Sequence, residues 1–316
     1  VTPEQEQHAA EALAYEEQTE EQSTAVLAAE VAVVAVLVMN TWQDVQAGGP
    51  FAPLVTAIRR FSEIIPSVTE ALMLRSVDGV RLGIDQGMRT LGHHPGWYPK
   101  LNGPVSDFLD PELKAAVSGA NGTAWQVLSD AVELARSYGL DLRERENITA
   151  VVGKAHTSVS RSKATARWVA NRAVSAGTSA VARASGSNLL WVAERNGCLD
   201  CLAYSGWVTE PGKPFHKVSF ATKPMPEFGV QLYPPRHPNC RCQVEVTDLP
   251  PGRSDLNLAR EAERSVARGL SDFESEKERL RAADKLVKGV TLLPKSVVAR
   301  AVRNIGDQRF KNRPVE

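Results

Sequence analysis

Leu27, Val31, Val34 and Val38 recur at steps of four, three and four, the period of one helix face, and predict a single long helix over residues 9–39. Val33, Val36 and Leu37 fill its remaining faces, so the second half of this helix is apolar all round and must be buried or shared with a neighbour. The run from Val31 to Met39 falls short of the about 20 apolar residues that span a bilayer, and Glu30 interrupts its extension. Packing against a partner or the protein's own core is therefore expected in preference to membrane insertion. Ala-Gly-Gly-Pro at 47–50 breaks the helix.

A second helical stretch starts at Pro53, a residue suited to a first turn, with Leu54, Ile58, Phe61 and Ile65 as its core stripe until Pro66 interrupts. Met73, Val77, Val80, Ile84, Met88 and Leu91 continue the pattern beyond it. Gly79, Gly83 and Gly87 sit every four residues on that helix, each costing about 1 kcal/mol against alanine. Such a stripe predicts close approach of another backbone, from a partner subunit or from this chain. His93 and His94, between Gly92 and Pro95, read as loop residues. From Ser106 the chain is helical again through Arg136.

The period then changes. Cys242-Gln-Val-Glu-Val246 alternates in twos, a half-buried strand, and the segment near Trp207 and Val208 is its expected neighbour in a small sheet. Asn188 to Cys198 reads as the end of a helix or strand. The prolines between Pro211 and Pro238 forbid a regular helix there and predict an ordered loop. Pro250-Pro-Gly252 marks a linker. Beyond it, residues 255–288 form a charged helix with Ala262, Val266, Leu270 and Phe273 as a narrow apolar stripe, and Pro294 separates a final short helix.

Composition is that of a globular protein, 316 residues and 43% hydrophobic. The 37 basic and 37 acidic residues cancel, yet they are unevenly placed. Nine acids, from Glu4 to Asp44, precede the first base, Arg59, so the N-terminal arm is strongly acidic. Asn147 to Ala193 carries Lys154, Arg161, Lys163, Arg167, Arg172 and Arg183 and no acid. This basic helical region is either a solvated face or a surface that meets DNA phosphates or an acidic partner without reading sequence.

All four cysteines fall within one short stretch, as Cys198-Leu-Asp-Cys201 and His237-Pro-Asn-Cys240-Arg-Cys242. Soft thiolate and imidazole ligands in paired clusters suit a tetrahedral zinc ion. Cys198, Cys201 and Cys240 are the expected ligands, with His237 and Cys242 contesting the fourth place. The alternatives are two disulfides or unligated thiols. No basic segment precedes the first apolar run, so no signal peptide is expected, and reduced assembly in the cytosol favours metal.

Trp191 shortly before Cys198-x-x-Cys201, then Gly206-Trp-Val, a proline-rich loop and His237-Pro-Asn-Cys240-Arg-Cys242 resemble the phage Mu F-like head morphogenesis (minor capsid) family, over roughly residues 145–247. Members are similar in being low-copy internal head proteins. The resemblance implies a minor capsid protein of a tailed phage, associating with the portal inside the head and acting in head assembly or genome packaging and delivery. The implied partners are the portal protein, with the major capsid or scaffolding protein and packaged double-stranded DNA as further candidates, and no membrane. The implied location is the virion interior near the portal, and the host cytoplasm during assembly. Some members end in an ADP-ribosyltransferase domain, for which the about 65 residues after the motif are too few.

The expected fold is α+β and mainly α-helical, with long N-terminal helices, a small zinc-stapled antiparallel sheet domain and a C-terminal helical extension. Residues 1–100 form the helical arm and helical region, 101–249 the Mu F-like domain with its Cys/His site, and 250–316 the charged extension. One structural Zn2+ per chain is expected, and no catalysis. There is no Ser-His-Asp order, phosphate loop or His-Glu-x-x-His; a zinc hydrolase would have only Asp200 and His216 as acid-base groups. The alternatives are a zinc-containing nucleic-acid-binding module and, more remotely, that hydrolase.

Overall fold

The computed structural model describes residues 3–92, 111–192, 204, 206–215, 232–235 and 240–253. Five α-helices come first: α1 (Pro3–Gln46), α2 (Ala52–Arg59), α3 (Ile65–Thr90), α4 (Pro111–Tyr138) and α5 (Arg145–Ser185). The strands β1 (Asn188–Val192), β2 (Trp207–Thr209), β3 (Gln243–Thr247) and β4 (Gly252–Arg253) follow. The described chain is mainly helical with a small antiparallel sheet. The histidines at 93 and 94 and the charged helix expected over 255–288 lie outside the described residues.

The expected long first helix is present and extends further in both directions. Leu27, Val31, Val34 and Val38 are all buried, whereas Val33 and Val36 are 67% and 59% exposed, so only one face of the apolar half is covered. The helix stops where Gly48 takes a φ of 92° and the Gly49 amide donates to the Asp44 carbonyl at 2.8 Å. Pro53 sits in the first turn of α2, as expected, and Leu54, Ile58 and Phe61 are buried. Pro66 occupies the first turn of α3, where its missing N–H has no partner to lose.

On α3 the buried face is Val68, Leu72, Ser76, Val80, Ile84 and Met88; Met73 and Val77, expected in the core, are only half-buried. Ser76 is tolerated in the interior because its hydroxyl donates to the Leu72 carbonyl at 2.8 Å.

The chain resolves into two compact units. The helical unit comprises Ala14–Asp78 and Leu109–Ala170. Within it α4 packs on α2 and on the 3-10 turn Arg60–Glu63, and Leu128, Ala131 and Ala135 are buried. The indole N–H of Trp42 and the amide of Gln46 both donate to the Arg143 carbonyl, at 3.1 and 2.6 Å, tying the end of α1 to the turn before α5. The Tyr15 hydroxyl donates to the Arg75 carbonyl.

The sheet-bearing unit comprises Val1–Leu13, Gly79–Phe108 and Asn171–Glu316. Here α3 crosses α5 at van der Waals backbone distance. A Cβ on Gly83 would fall on the Val174 carbonyl and 2.9 Å from the Thr178 nitrogen; one on Gly177 would fall on the Val80 carbonyl and 2.9 Å from the Ile84 nitrogen. The Thr178 hydroxyl uses the closeness, donating to the carbonyls of Gly83 at 3.2 Å and Val174 at 3.3 Å. The close approach predicted by the glycine stripe is thus made at Gly83 by the chain's own helix.

Strand order is β3-β1-β2-β4, every pair antiparallel, with Leu190 opposite Glu245 on one side and Val208 on the other. Two expectations are corrected here. The strand after Cys242 pairs with β1, which stands between it and the Trp207 strand, and Gly252 belongs to a two-residue edge strand rather than to a linker. β3 is also buried at Val244, Glu245 and Val246 alike, not on alternate positions, because the first turns of α1 cover its second face.

Those turns are held by polar contacts. His8 Nδ1 lies 3.9 Å from Glu245 Oε1, the Gln86 amide donates to the His8 carbonyl at 3.0 Å, and Arg89 makes a two-pronged contact with Glu11, one prong at 2.9 Å. Burial, and then the Arg89 charge, lower the His8 pKa. The Arg89 hydrogen bonds hold the Glu11 carboxyl well below its ordinary 4.5, at about 2. A carboxyl whose folded pKa is depressed stabilises the fold fully above its unfolded value, and that contribution drains as pH falls through the folded one. Stability is therefore expected to decline between about pH 4.5 and pH 2 on account of Glu11. Glu11→Gln should be less stable than the parent at neutral pH, with a shallower acid limb in urea titrations repeated across that range. Identical acid limbs would rule out the contribution.

Candidate metal-binding loops and basic helix

Cys240 and Cys242 lie on the two positions that lead into β3, just outside the strand itself, and both are buried, at 4% and 1% exposed. The Cys240 carbonyl accepts a 3.0 Å hydrogen bond from the Asn171 side chain on α5, fixing the backbone at the first sulfur. Beside them β1 presents Trp191, fully buried, stacked on Tyr204 with centroids 4.8 Å apart and edge-on to Phe215 at 5.2 Å. Tyr204 is three residues after Cys201, and Gly206, at φ 76°, donates its amide to the Trp191 carbonyl at 2.9 Å and turns the chain into β2.

Residues far apart in sequence thus converge on three adjacent strands. Trp191 belongs to the central one, Gly206 opens the second, and Cys240 with Cys242 opens the third. Of the five candidate zinc ligands these two cysteines are described; Cys198, Cys201 and His237 lie outside the described residues, as do Asp200 and His216. Among the described residues no group of three or more metal-ligating side chains comes together. Cys240 and Cys242 are buried thiols at positions i and i+2, the residue type a thiolate cage uses. Zinc held there by Cys240, with Cys198, Cys201 and either His237 or Cys242, would act as a cross-link of order 10 kcal/mol and not as a Lewis acid for catalysis.

The six bases of the basic region all fall on α5 and are put to different uses. Lys154 pairs with Asp130 of α4 at 3.4 Å. Lys163 lies 3.7 Å from Glu20 of α1, and Arg167 hydrogen-bonds Glu20 and lies 3.9 Å from Glu16. Arg172 is buried, its guanidinium 4.7 Å from the centre of the Tyr233 ring. Arg161 and Arg183 are exposed, with no ion pair among the described residues.

Part of the acidic arm and part of the basic helix therefore neutralise each other within the helical unit. Glu16 and Glu20, four apart on α1, face Lys163 and Arg167, four apart on α5; the matching one-turn spacing is the signal in the sequence that could have paired them.

The architecture defines a class: a mainly helical α+β protein whose small antiparallel sheet gathers an aromatic cluster and two buried cysteines. Compared with known proteins, the chain matches no protein-family model, no curated protein and no solved structure.

Proposed function

We propose that the protein is a minor capsid protein of the phage Mu F-like head morphogenesis type, acting with the portal in head assembly or genome delivery, and that its role is structural and not enzymatic. The observation that carries the reading is the convergence of the motif: Trp191 lies on β1 while Gly206 leads into β2 and Cys240 and Cys242 lead into β3 of the same small sheet, although 51 positions separate the first from the last. A zinc ion bound by the Cys/His set would cross-link the two ends of the proline-rich segment. DNA contact, where it occurs, would fall first to Arg161 and Arg183, the exposed bases of the basic region with no ion pair among the described residues, and would be independent of sequence.

The test is coexpression with the portal protein of the same phage, followed by nuclease treatment, purification and elemental analysis. The expected result is a nuclease-resistant complex with one zinc per chain, reduced to none in Cys198→Ser. Cys242→Ser decides the fourth ligand: zinc retained assigns it to His237. Salt-sensitive DNA binding without portal affinity would replace this reading with a nucleic-acid-binding module, and metal-free protein would remove the staple.

A further inference from the structure

Val33 and Val36, within one turn of α1, are 67% and 59% exposed. A β-branched residue on a helix surface lowers helix propensity and leaves apolar area in water, a cost that nothing within the described helical unit offsets. They belong to a longer pattern. Ala25, Ala29, Ala32, Val36, Met39 and Gln43 follow steps of four, three, four, three and four, the repeat of a seam between two paired helices. Opposite its buried stripe α1 therefore carries a second one, exposed at every position except half-buried Met39. From Thr24 to Gln43 the one charge is Glu30, half-buried and off the seam.

Charge narrows what can cover this seam. The helix has no lysine or arginine, and exposed Glu17 and Glu21 precede the seam. That opposes DNA and also the anionic membrane surfaces that basic amphipathic helices bind. Side-chain size then selects the occupant. The small residues Ala25, Ala29 and Ala32 fill the first half of the seam, and the larger Val36, Met39 and Gln43 fill the second. Laid against itself in reverse, the seam sets Ala25 beside Gln43, Ala29 beside Met39 and Ala32 beside Val36, so each layer opposes a small residue to a large one. A parallel pair would set alanine on alanine and bring Glu17 and Glu21 of both copies side by side.

We infer that this face of α1 binds a second copy of the chain in antiparallel orientation, a twofold isologous contact. At about 1.5 Å per residue the seam is about 29 Å long, and a helix about 10 Å wide offers roughly 300 Å2 of it on each copy. A stable complex commits about 800 Å2 per partner, so the dimer is weak, dissociating at about 100 µM. The inference stands independently of the capsid reading, since it uses neither the cysteines nor the portal.

Sedimentation velocity of the full chain over a concentration series tests it. The expected result is a reversible monomer–dimer equilibrium whose dissociation constant rises roughly tenfold or more in Ala32→Lys and in Val36→Glu taken singly. An equimolar mixture of the two variants should associate again, because residue 32 of one chain faces residue 36 of the other only in the antiparallel pair. Both positions are exposed and both replacements are good helix formers, so thermal unfolding of each dilute variant should match the parent, separating loss of contact from loss of fold. A protein that stays monomeric at every concentration overturns the inference, and binding to phosphatidylcholine vesicles in its place would give the seam to lipid. A dimer indifferent to both substitutions, or a mixture no more associated than its components, overturns it equally.

Discussion

Gly83→Ala is expected to destabilise the protein by about 3 kcal/mol or more, a large share of the roughly 5–15 kcal/mol that holds a domain together. The new methyl group would coincide with the Val174 carbonyl and press on the Thr178 nitrogen at 2.9 Å. Both obstacles are backbone, so no rotamer change relieves them, and the two helices must separate. Separation forfeits the Thr178 bridge to the Gly83 carbonyl as well. Helix propensity pulls the other way by about 1 kcal/mol in favour of alanine, which the collision outweighs. Gly153→Ala supplies the control. Gly153, on α5, is exposed and has nothing within 4 Å of its would-be Cβ, so the same substitution there should stabilise by about 0.5–1 kcal/mol. Urea denaturation of the two variants would give opposite shifts in midpoint; two similar shifts would mean that α3 and α5 do not cross at Gly83.

Trp191→Ala should cost about 3–5 kcal/mol, the range for emptying a buried indole. Trp191 is 0% exposed on the inner strand β1 and forms a three-ring cluster with Tyr204 and Phe215, so its loss empties the centre of that cluster's packing against β1. Trp191→Phe should be far milder, within about 1.5 kcal/mol, because the ring stacking survives in part. The indole N–H is buried and has no hydrogen-bond partner among the described residues, so deleting it costs no hydrogen bond there. Trp125, 47% exposed, is the comparison site, where alanine should shift stability by no more than about 0.5 kcal/mol. Thermal unfolding monitored by circular dichroism distinguishes the three. A mild Trp191→Ala would show that the aromatic cluster is not the core of the sheet.

The contrast between these two sites shows what kind of information each carried in the sequence. Gly83 could be read as a close approach because a glycine every fourth residue makes no sense for an isolated helix. Its partner could not be read, since Val174 and Gly177 lie in a stretch of small residues with many equivalent registers. β1 was harder still. Leu189, Leu190 and Trp191 are all buried, so the alternation that betrays a half-exposed strand is missing, and the segment was indistinguishable from a helix end. β3 did show alternation, yet His8 and the start of α1 bury its outward Glu245 as well. In the cysteine clusters the residue types and their spacing were legible, while the burial of Cys240 and Cys242 was not.

The chain by itself determined its local structure: where α1, α2 and α3 run, that Gly48 and Gly49 end the first and that prolines begin the next two. These follow from contacts between residues three or four apart, which any short piece of the sequence already contains. Only the tertiary structure decided which charges remain available. Glu20 and Arg167 stand 147 positions apart, and the one-turn spacing that each shares with its neighbour, Glu16 or Lys163, does not single out this pairing from the other acid pairs of α1. Their pairing depends on how the helices pack: the hydrophobic effect that buries them is non-directional, and the surface charges pair with whichever partner that packing brings within reach.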